Sequence, residues 1–218
     1  MDLPVPAAEF NEMIRRAGGG ALILLAAAWS FARADSGEAA LARGDYPAAV
    51  SAFRVQAEQG DAVAQLKLAA LYARGKGTAL DNAQAAKWYR KSADQGNAQA
   101  QYNLGVVQIE GRGIDKDLAE AARWMRLAAD QAYPPAQASL GYLYLNGMGV
   151  ARDDVEGARW YRMAADRGNA EAQYGLGVLY SQGRGVEMSQ SEAISWYRKS
   201  ASQGNRRALD ILKRLNEP

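Results

Sequence analysis

Residues 170–205 read AEAQYGLGVLYSQGRGVEMSQSEAISWYRKSASQGN, and three earlier stretches of 36 residues, beginning at Ala62, Ala98 and Pro134, can be laid on them without a gap. Trp88, Trp124, Trp160 and Trp196 fall in step, as do Gly75, Gly111, Gly147 and Gly183 and the second glycines Gly77, Gly113, Gly149 and Gly185. Self-similarity at such a period is the mark of a stacked array, in which each unit buries its apolar face only against its neighbours. The expected fold is all-α: an α-solenoid of antiparallel helix pairs, with units at 62–97, 98–133, 134–169 and 170–205. A unit copied four times is not the form of a single buried catalytic centre. The chain is therefore read as a non-enzyme, with no catalytic residue, metal ligand or cofactor assigned.

Each unit reads as helix, glycine loop, helix. In the first helix of the second full unit Ala100, Leu104 and Val107 lie at i, i+4 and i+7, the spacing of one helical face. Ala64, Leu68 and Leu71, then Ala136, Leu140 and Leu143, then Ala172, Leu176 and Leu179 match them. Beside the leucine sits Ala69, Gly105, Gly141 or Gly177. A helical glycine costs about 1 kcal/mol against alanine, so its recurrence predicts a close crossing of two helices. The second helix has a recurring start: Asp81 with Gln84, Asp117 with Glu120, Asp153 with Glu156 and Ser189 with Glu192 have the spacing of a capping box.

Other recurring features admit two readings. The Gly-x-Gly loops could present backbone N–H groups to an anion, or the first glycine could end a helix in the left-handed conformation and the second let the chain turn. Met148 replaces the loop base in one copy and no Walker-type lysine-hydroxyl pair follows, so turns are the reading adopted. The tryptophans could form a stacking platform for a ligand. The packing alternative, adopted here, puts each between the helices of its own unit and the next. One junction, Ala132-Tyr133-Pro134, has alanine where its counterparts have Gly96, Gly168 and Gly204, and is expected to bend the array.

Composition narrows the function classes. Net charge is +2, from 26 Lys and Arg against 24 Asp and Glu, with the signs interleaved; nucleic-acid binding calls for a clustered basic face, so no nucleic-acid partner is expected. The absence of cysteine and histidine removes disulfides, thiolate and imidazole nucleophiles and the usual zinc ligand sets.

Both ends differ from the units. Residues 1–34 read as a secretory signal: Arg15 and Arg16, an uncharged run from Ala17 to Ala32, and Ala32-Arg33-Ala34 as a cleavage site before Asp35. Met13 is an alternative start that gives an ordinary signal length. The uncharged run is 16 residues, short of the roughly 20 that span a bilayer. Membrane contact is thus expected only if the segment stays uncleaved. Residues 35–61 form a short capping unit, with helices expected over Glu38–Arg43 and Pro47–Gln59. Residues 206–218 read as a C-terminal capping helix, with Ala208, Leu212 and Leu215 on its core side and Arg206, Arg207, Asp210, Lys213 and Arg214 outward.

The repeated string Ala-x-Ala-Gln-x-x-Leu-Gly, Tyr, Gly-x-Gly-Val, Ala-x-x-Trp-Tyr-Arg-x-Ala-Ala-x-x-Gly resembles the Sel-1-like repeat, a relative of the tetratricopeptide repeat with a longer inner loop. Departures are Gln108 for the tyrosine of the other copies, Met125 for a second tyrosine, and Thr78 for the post-glycine valine. They put the packing of the second full unit in question. The short unit at 35–61 is closer to a tetratricopeptide unit. The resemblance implies an α-solenoid adaptor or scaffold, often of the bacterial periplasm and envelope, acting in signalling, secretion or assembly. Some cysteine-rich members of that family are assigned weak β-lactamase or cell-wall-binding roles, but these rest on disulfide-stapled repeats that a cysteine-free chain cannot form. A purely structural spacer in a secretion assembly is the remaining alternative.

In arrays of this kind the first helices line the concave side, and here the positions between their core residues change from copy to copy. They are Leu66, Lys67, Ala70 and Arg74; Tyr102, Asn103, Val106 and Glu110; Ala138, Ser139, Tyr142 and Asn146; and Tyr174, Gly175, Val178 and Gln182. Tyrosine interleaved with polar groups suits a protein or peptide interface. The candidate partner-binding residues are Lys67, Arg74, Tyr102, Asn103, Glu110, Tyr142, Asn146, Tyr174 and Gln182, for a protein or peptide of unspecified identity.

Overall fold

The computed structural model describes residues 37–216; the signal and cleavage site read above lie outside them. A helical stretch over 37–42 leads into α1 (Tyr46–Glu58), and pairs follow: α2 (Ala62–Arg74) with α3 (Asn82–Asp94), α4 (Ala98–Glu110) with α5 (Leu118–Asp130), α6 (Pro134–Asn146) with α7 (Asp154–Asp166), and α8 (Ala170–Gln182) with α9 (Gln190–Ser202). The lone α10 (Arg206–Arg214) is the last described helix. No strand occurs among the described residues, and none of their helices is long and apolar enough to cross a membrane. Each helix packs mainly on its neighbours in sequence, so the core runs as a ribbon along the stack. The all-α solenoid expected from the period is the fold observed.

Local rules set the helix ends. Asp61, Asn97, Asn169 and Asn205 accept from the backbone N–H three residues on and so cap α2, α4, α8 and α10. Asp81, Asp117, Asp153 and Ser189 do the same for α3, α5, α7 and α9. The other half of the expected capping box is absent from every full unit: the backbone N–H groups of Asp81, Asp117, Asp153 and Ser189 donate instead to the carbonyls of Tyr72, Gln108, Tyr144 and Tyr180 in the first helix of the same unit. Glu120 and Glu156 accept from the indole N–H of Trp124 at 3.2 Å and Trp160 at 2.9 Å. Two buried indoles gain an acceptor in this way, whereas the indole N–H of Trp196 is buried without one.

The helix crossing is as close as the small residues imply. A Cβ on Gly141 would lie 3.0 Å from the Gly157 carbonyl oxygen, and one on Gly177 2.6 Å from the Tyr197 ring. Gly37 serves the same purpose in the short unit, against the ring of Phe53. The second loop glycine does more than turn the chain. Gly149 has φ 71°, and a Cβ there would fall on the Leu118 carbonyl; Gly77, Gly113 and Gly185 meet residues 46–47, 82–83 and 154–155 in the same way. The loop of one unit thus lies directly on the start of the second helix of the unit before it.

Trp88, Trp124, Trp160 and Trp196 are 2–7 % exposed. Trp124, Trp160 and Trp196 pack on the preceding unit and not, as expected, on the next one: Trp160 shares a cluster with Ala122, Met125 and Ala129, and Trp196 one with Ala164 and Ala165. Arg90, Arg126 and Arg162 of the preceding unit lie 5.7, 5.6 and 5.1 Å from the rings of Trp124, Trp160 and Trp196. Covered in this way, the rings offer no stacking platform. The short unit has Ala52 at the tryptophan position, and no described unit precedes it.

A glutamine ladder runs through the core. Gln65, Gln101, Gln137 and Gln173 each donate to a backbone carbonyl of the preceding unit, at 3.0 to 3.2 Å. Gln95, Gln131 and Gln203 donate to Gln65, Gln101 and Gln173 at 2.7–2.8 Å. The third full unit has Arg167 in place of that second glutamine, and the buried Oε1 of Gln137 has no hydrogen-bond partner.

Two expectations are corrected at the ends and junctions. Ala132 adopts the left-handed conformation, φ 60°, in place of a glycine. Its N–H donates to Ala129 and that of Tyr133 to Ala128, the pattern Gly96 and Asn97 make with Ala93 and Ser92, so the turn is kept without a bend of its own. In α10 Ala208 and Leu212 are buried as read, but Leu215 falls at the helix end and is 40 % exposed. Lys213, which is exposed, occupies the position of the crossing glycine.

Candidate functional site

The first-helix face carries two clefts. One, of about 480 Å³, lies over α2 and α4, and the other, of about 520 Å³, over α6 and α8. Lys67, Arg74 and Asn103 line the first and Tyr142, Asn146 and Tyr174 the second, so six of the nine candidate residues are gathered there. Tyr102, Glu110 and Gln182 line neither.

In the first cleft the residues differ in how free they are. Lys67 is ion-paired with Glu38 and lies 5.5 Å from the Phe53 ring, and burial pulls its ammonium below the ordinary value. Arg74, in the last turn of α2, is exposed and meets no carboxylate among the described residues. Lys76 donates to the Tyr46 hydroxyl at 3.3 Å and stands 4.8 Å from that ring. The buried Tyr89 hydroxyl forms part of the floor, and burial raises its pKa. Gln99 and Asn103 supply amide groups from α4.

The second cleft is aromatic. Tyr142 is 51 % exposed, with only its backbone engaged, by the Asn146 side-chain N–H at 2.8 Å. Tyr174 leans on Tyr197 at 5.9 Å between ring centres. Beneath them is Tyr161, whose pKa burial pushes up to about 12, so it remains a neutral phenol. Ala138, Ser139 and Gly175 leave the floor open; a Cβ on Gly175 would lie 3.1 Å from the Tyr161 ring. Glu171, Arg184 and Arg207 stand at the edge. Tyr102 is instead half-buried, edge-on to Tyr133 at 5.6 Å, and Glu110 is paired with Arg112.

Lys76, Tyr89, Gln99 and Tyr161 were missed as lining residues. Variation between copies marks α2, α4, α6 and α8, whereas Lys76 belongs to a loop and Tyr89 and Tyr161 look like packing residues in every copy. Among the described residues no group of three acidic side chains is placed to hold a metal ion.

A family model described as Sel1 repeat matches residues 62–97, 98–133, 134–169 and 170–205. Among solved structures, the chain is similar to a Sel1 repeat protein from Oxalobacter formigenes, with 36 % identity and a TM-score of 0.72 over 76 % of this chain and 66 % of that one. It is also similar to a protective antigen present in uropathogenic Escherichia coli strains, displaying an SLR fold, with 39 % identity and a TM-score of 0.74 over 82 % of this chain and 41 % of that one. The immunity protein Pa5087 from Pseudomonas aeruginosa is more distant, at 29 % identity and TM-score 0.52, over 75 % of this chain and 60 % of that one. The chain thus spans under two thirds of the length of each of these proteins. A comparison with curated proteins found no match. Four matched units in a helix-pair array place this chain in the Sel1 repeat family, whose members generally mediate protein–protein interaction and are generally non-enzymatic.

Proposed function

We propose that this chain is an exported adaptor of the bacterial envelope that holds a protein or an extended peptide segment against its first-helix face. The observation that carries this reading is Tyr142: a large aromatic side chain, 51 % exposed, standing over an open cleft and belonging to none of the buried clusters. The common positions of the four units are spent on the core, and the first-helix face is where the copies differ. Tyrosine over small residues is the composition of a partner-binding surface, where buried aromatics act as anchors. Export is supported by the Arg15–Ala34 pattern alone.

The test is capture from an envelope extract with the immobilised full chain and three variants. Tyr142→Ala and Arg74→Glu, both at exposed positions, should keep the helical circular dichroism and lose the captured protein. Leu127→Ala, exposed on the opposite helix layer, should retain it. Tyr102 and Tyr174 are poorer choices, since both pack on other tyrosines. A partner held equally by all three variants would show that binding lies elsewhere on the molecule.

A further inference from the structure

We infer that the first-helix face distinguishes its peptide at two subsites, an acidic group at Arg74 and Lys76 and a bulky apolar side chain at the notch beside Tyr142, about six residues apart. The inference rests on the reading of that face as the binding surface, and adds the chemistry of what it takes.

The acidic subsite follows from a comparison of equivalent positions. The loop base is Lys76, Arg112 and Arg184 in three units and Met148 in the other. Arg112 is paired with Glu110, and Arg184 with Asp154 at 2.9 Å. Lys76 has only the Tyr46 hydroxyl and ring, and Arg74, two residues before it, also lacks a carboxylate among the described residues. Where the other units place Glu110, Asn146 and Gln182, this one places a second cation. None of the described residues lining the cleft is acidic, Glu38 being paired with Lys67, and Gln99 and Asn103 face the cations across it. Two neighbouring positive groups without a counter-ion repel each other, and a bound carboxylate relieves that repulsion while accepting charge-assisted hydrogen bonds.

The apolar subsite has the opposite make-up. Ala138 and Ser139 stand where the first two full units carry Leu66 and Lys67, then Tyr102 and Asn103, and Gly175 replaces the side chain of the next helix. The notch this leaves is walled by Tyr142 and floored by Tyr161. The nearby charges are mostly engaged within the chain: Arg184 with Asp154, and Glu171 with Asn205 at 3.1 Å and Arg207 at 3.9 Å. The two clefts are centred two units apart. Neighbouring helices lie about 8–10 Å apart, so the subsites are roughly 20 Å apart, which an extended chain rising about 3.3 Å per residue covers in about six residues.

Selection from a random dodecapeptide library on the immobilised full chain at low salt tests this. Enriched peptides should pair Asp, Glu or the terminal carboxylate with a Leu, Ile, Phe or Met about six positions away. For one such peptide, fluorescence anisotropy should show a loss of roughly tenfold when its acid is made an amide. The double variant Arg74→Glu/Lys76→Glu should prefer the same peptide carrying lysine, and Tyr142→Ala should remove the advantage of the apolar residue alone. If peptides bind and respond to Tyr142→Ala, yet carry no acid or keep their acid preference on the double variant, the two-subsite inference is overturned and binding on this face stands. If nothing is enriched, or enriched peptides are indifferent to both variants, the face is not the binding surface and both readings fall. Unchanged circular dichroism of the variants, whose changes are at exposed positions, guards against misfolding.

Discussion

The second and third full units each replace one side chain of a recurring hydrogen bond, and the chain answers the two replacements differently. In the second, Gln108 replaces the tyrosine whose hydroxyl accepts from Arg54, Arg126 or Arg162 in the other pairings. Arg90, left without that hydroxyl, donates instead to Glu120 at 2.8 Å, and Glu120 also takes the indole N–H of Trp124. In the third, Arg167 replaces a ladder glutamine and turns back to the Met163 carbonyl at 3.1 Å. The Gln137 oxygen it should have met is buried without a partner. A long side chain near the surface can find a new acceptor at little cost. A short buried amide cannot move to find a donor, so the Gln137 oxygen stays unpaired, and so does the oxygen of the buried Gln108 itself.

The contrast can be broken most severely at the tryptophan that joins these two units. Trp160→Ala removes a ring that is 2 % exposed and packed on Met125 and Ala129, and should cost about 3–5 kcal/mol in chemical denaturation. Tyr142→Ala, on the open face of the same unit, should stay within about 0.5 kcal/mol. Equal losses would mean that the core does not run through the unit junctions.

Smaller effects sharpen the comparison by repairing the third unit. Arg167→Gln restores the missing rung and should raise the unfolding free energy by about 1 kcal/mol. Ala132→Gly, which relieves φ 60° just before that unit, should add up to about 1 kcal/mol more. The same pair of gains measured by urea midpoints, and their additivity, would check that the two faults are independent.

The smallest effect concerns the Arg90–Glu120 pair of the second unit and depends on pH. The Arg90 hydrogen bond holds the Glu120 carboxyl below its ordinary value of 4.5, and Arg159 does the same for Glu156. A depressed folded-state pKa means that the stabilisation is complete above pH 4.5 and is lost as pH falls below it. Glu120→Gln should flatten that acid slope in urea midpoints, by under about 1 kcal/mol because the pair is partly exposed.

Much of the fold was legible in advance. The helix starts follow from caps three residues before their targets, the helix faces from leucines and alanines at i, i+4 and i+7, and the close crossings from Gly105, Gly141 and Gly177. All of these are short-range patterns within one helix or one helix pair. The face that carries the clefts was legible too, because variation between copies singles out residues such as Lys67, Arg74, Tyr142 and Tyr174. That Tyr102 would be half-buried against Tyr133 was not, since the ring that covers it lies outside its own helix, at a position where the other copies carry Asn97, Asn169 and Asn205.

The sequence by itself determined the repeat, the helix pairs, their boundaries and the family. Only the tertiary structure decided which neighbour each repeated residue meets. A pattern that recurs every 36 residues is unchanged when shifted by one unit. It therefore cannot tell whether Trp160 faces the unit before it or the one after, or whether Gln131 reaches Gln101 or Gln137. Gly149 looks like a turn residue until the Leu118 backbone is found against it. The lack of a carboxylate beside Arg74 and Lys76 among the described residues belongs to the same class of fact. It depends on which carboxylates the stacking brings near, and stacking is the one relation that a translationally repeated sequence leaves unmarked.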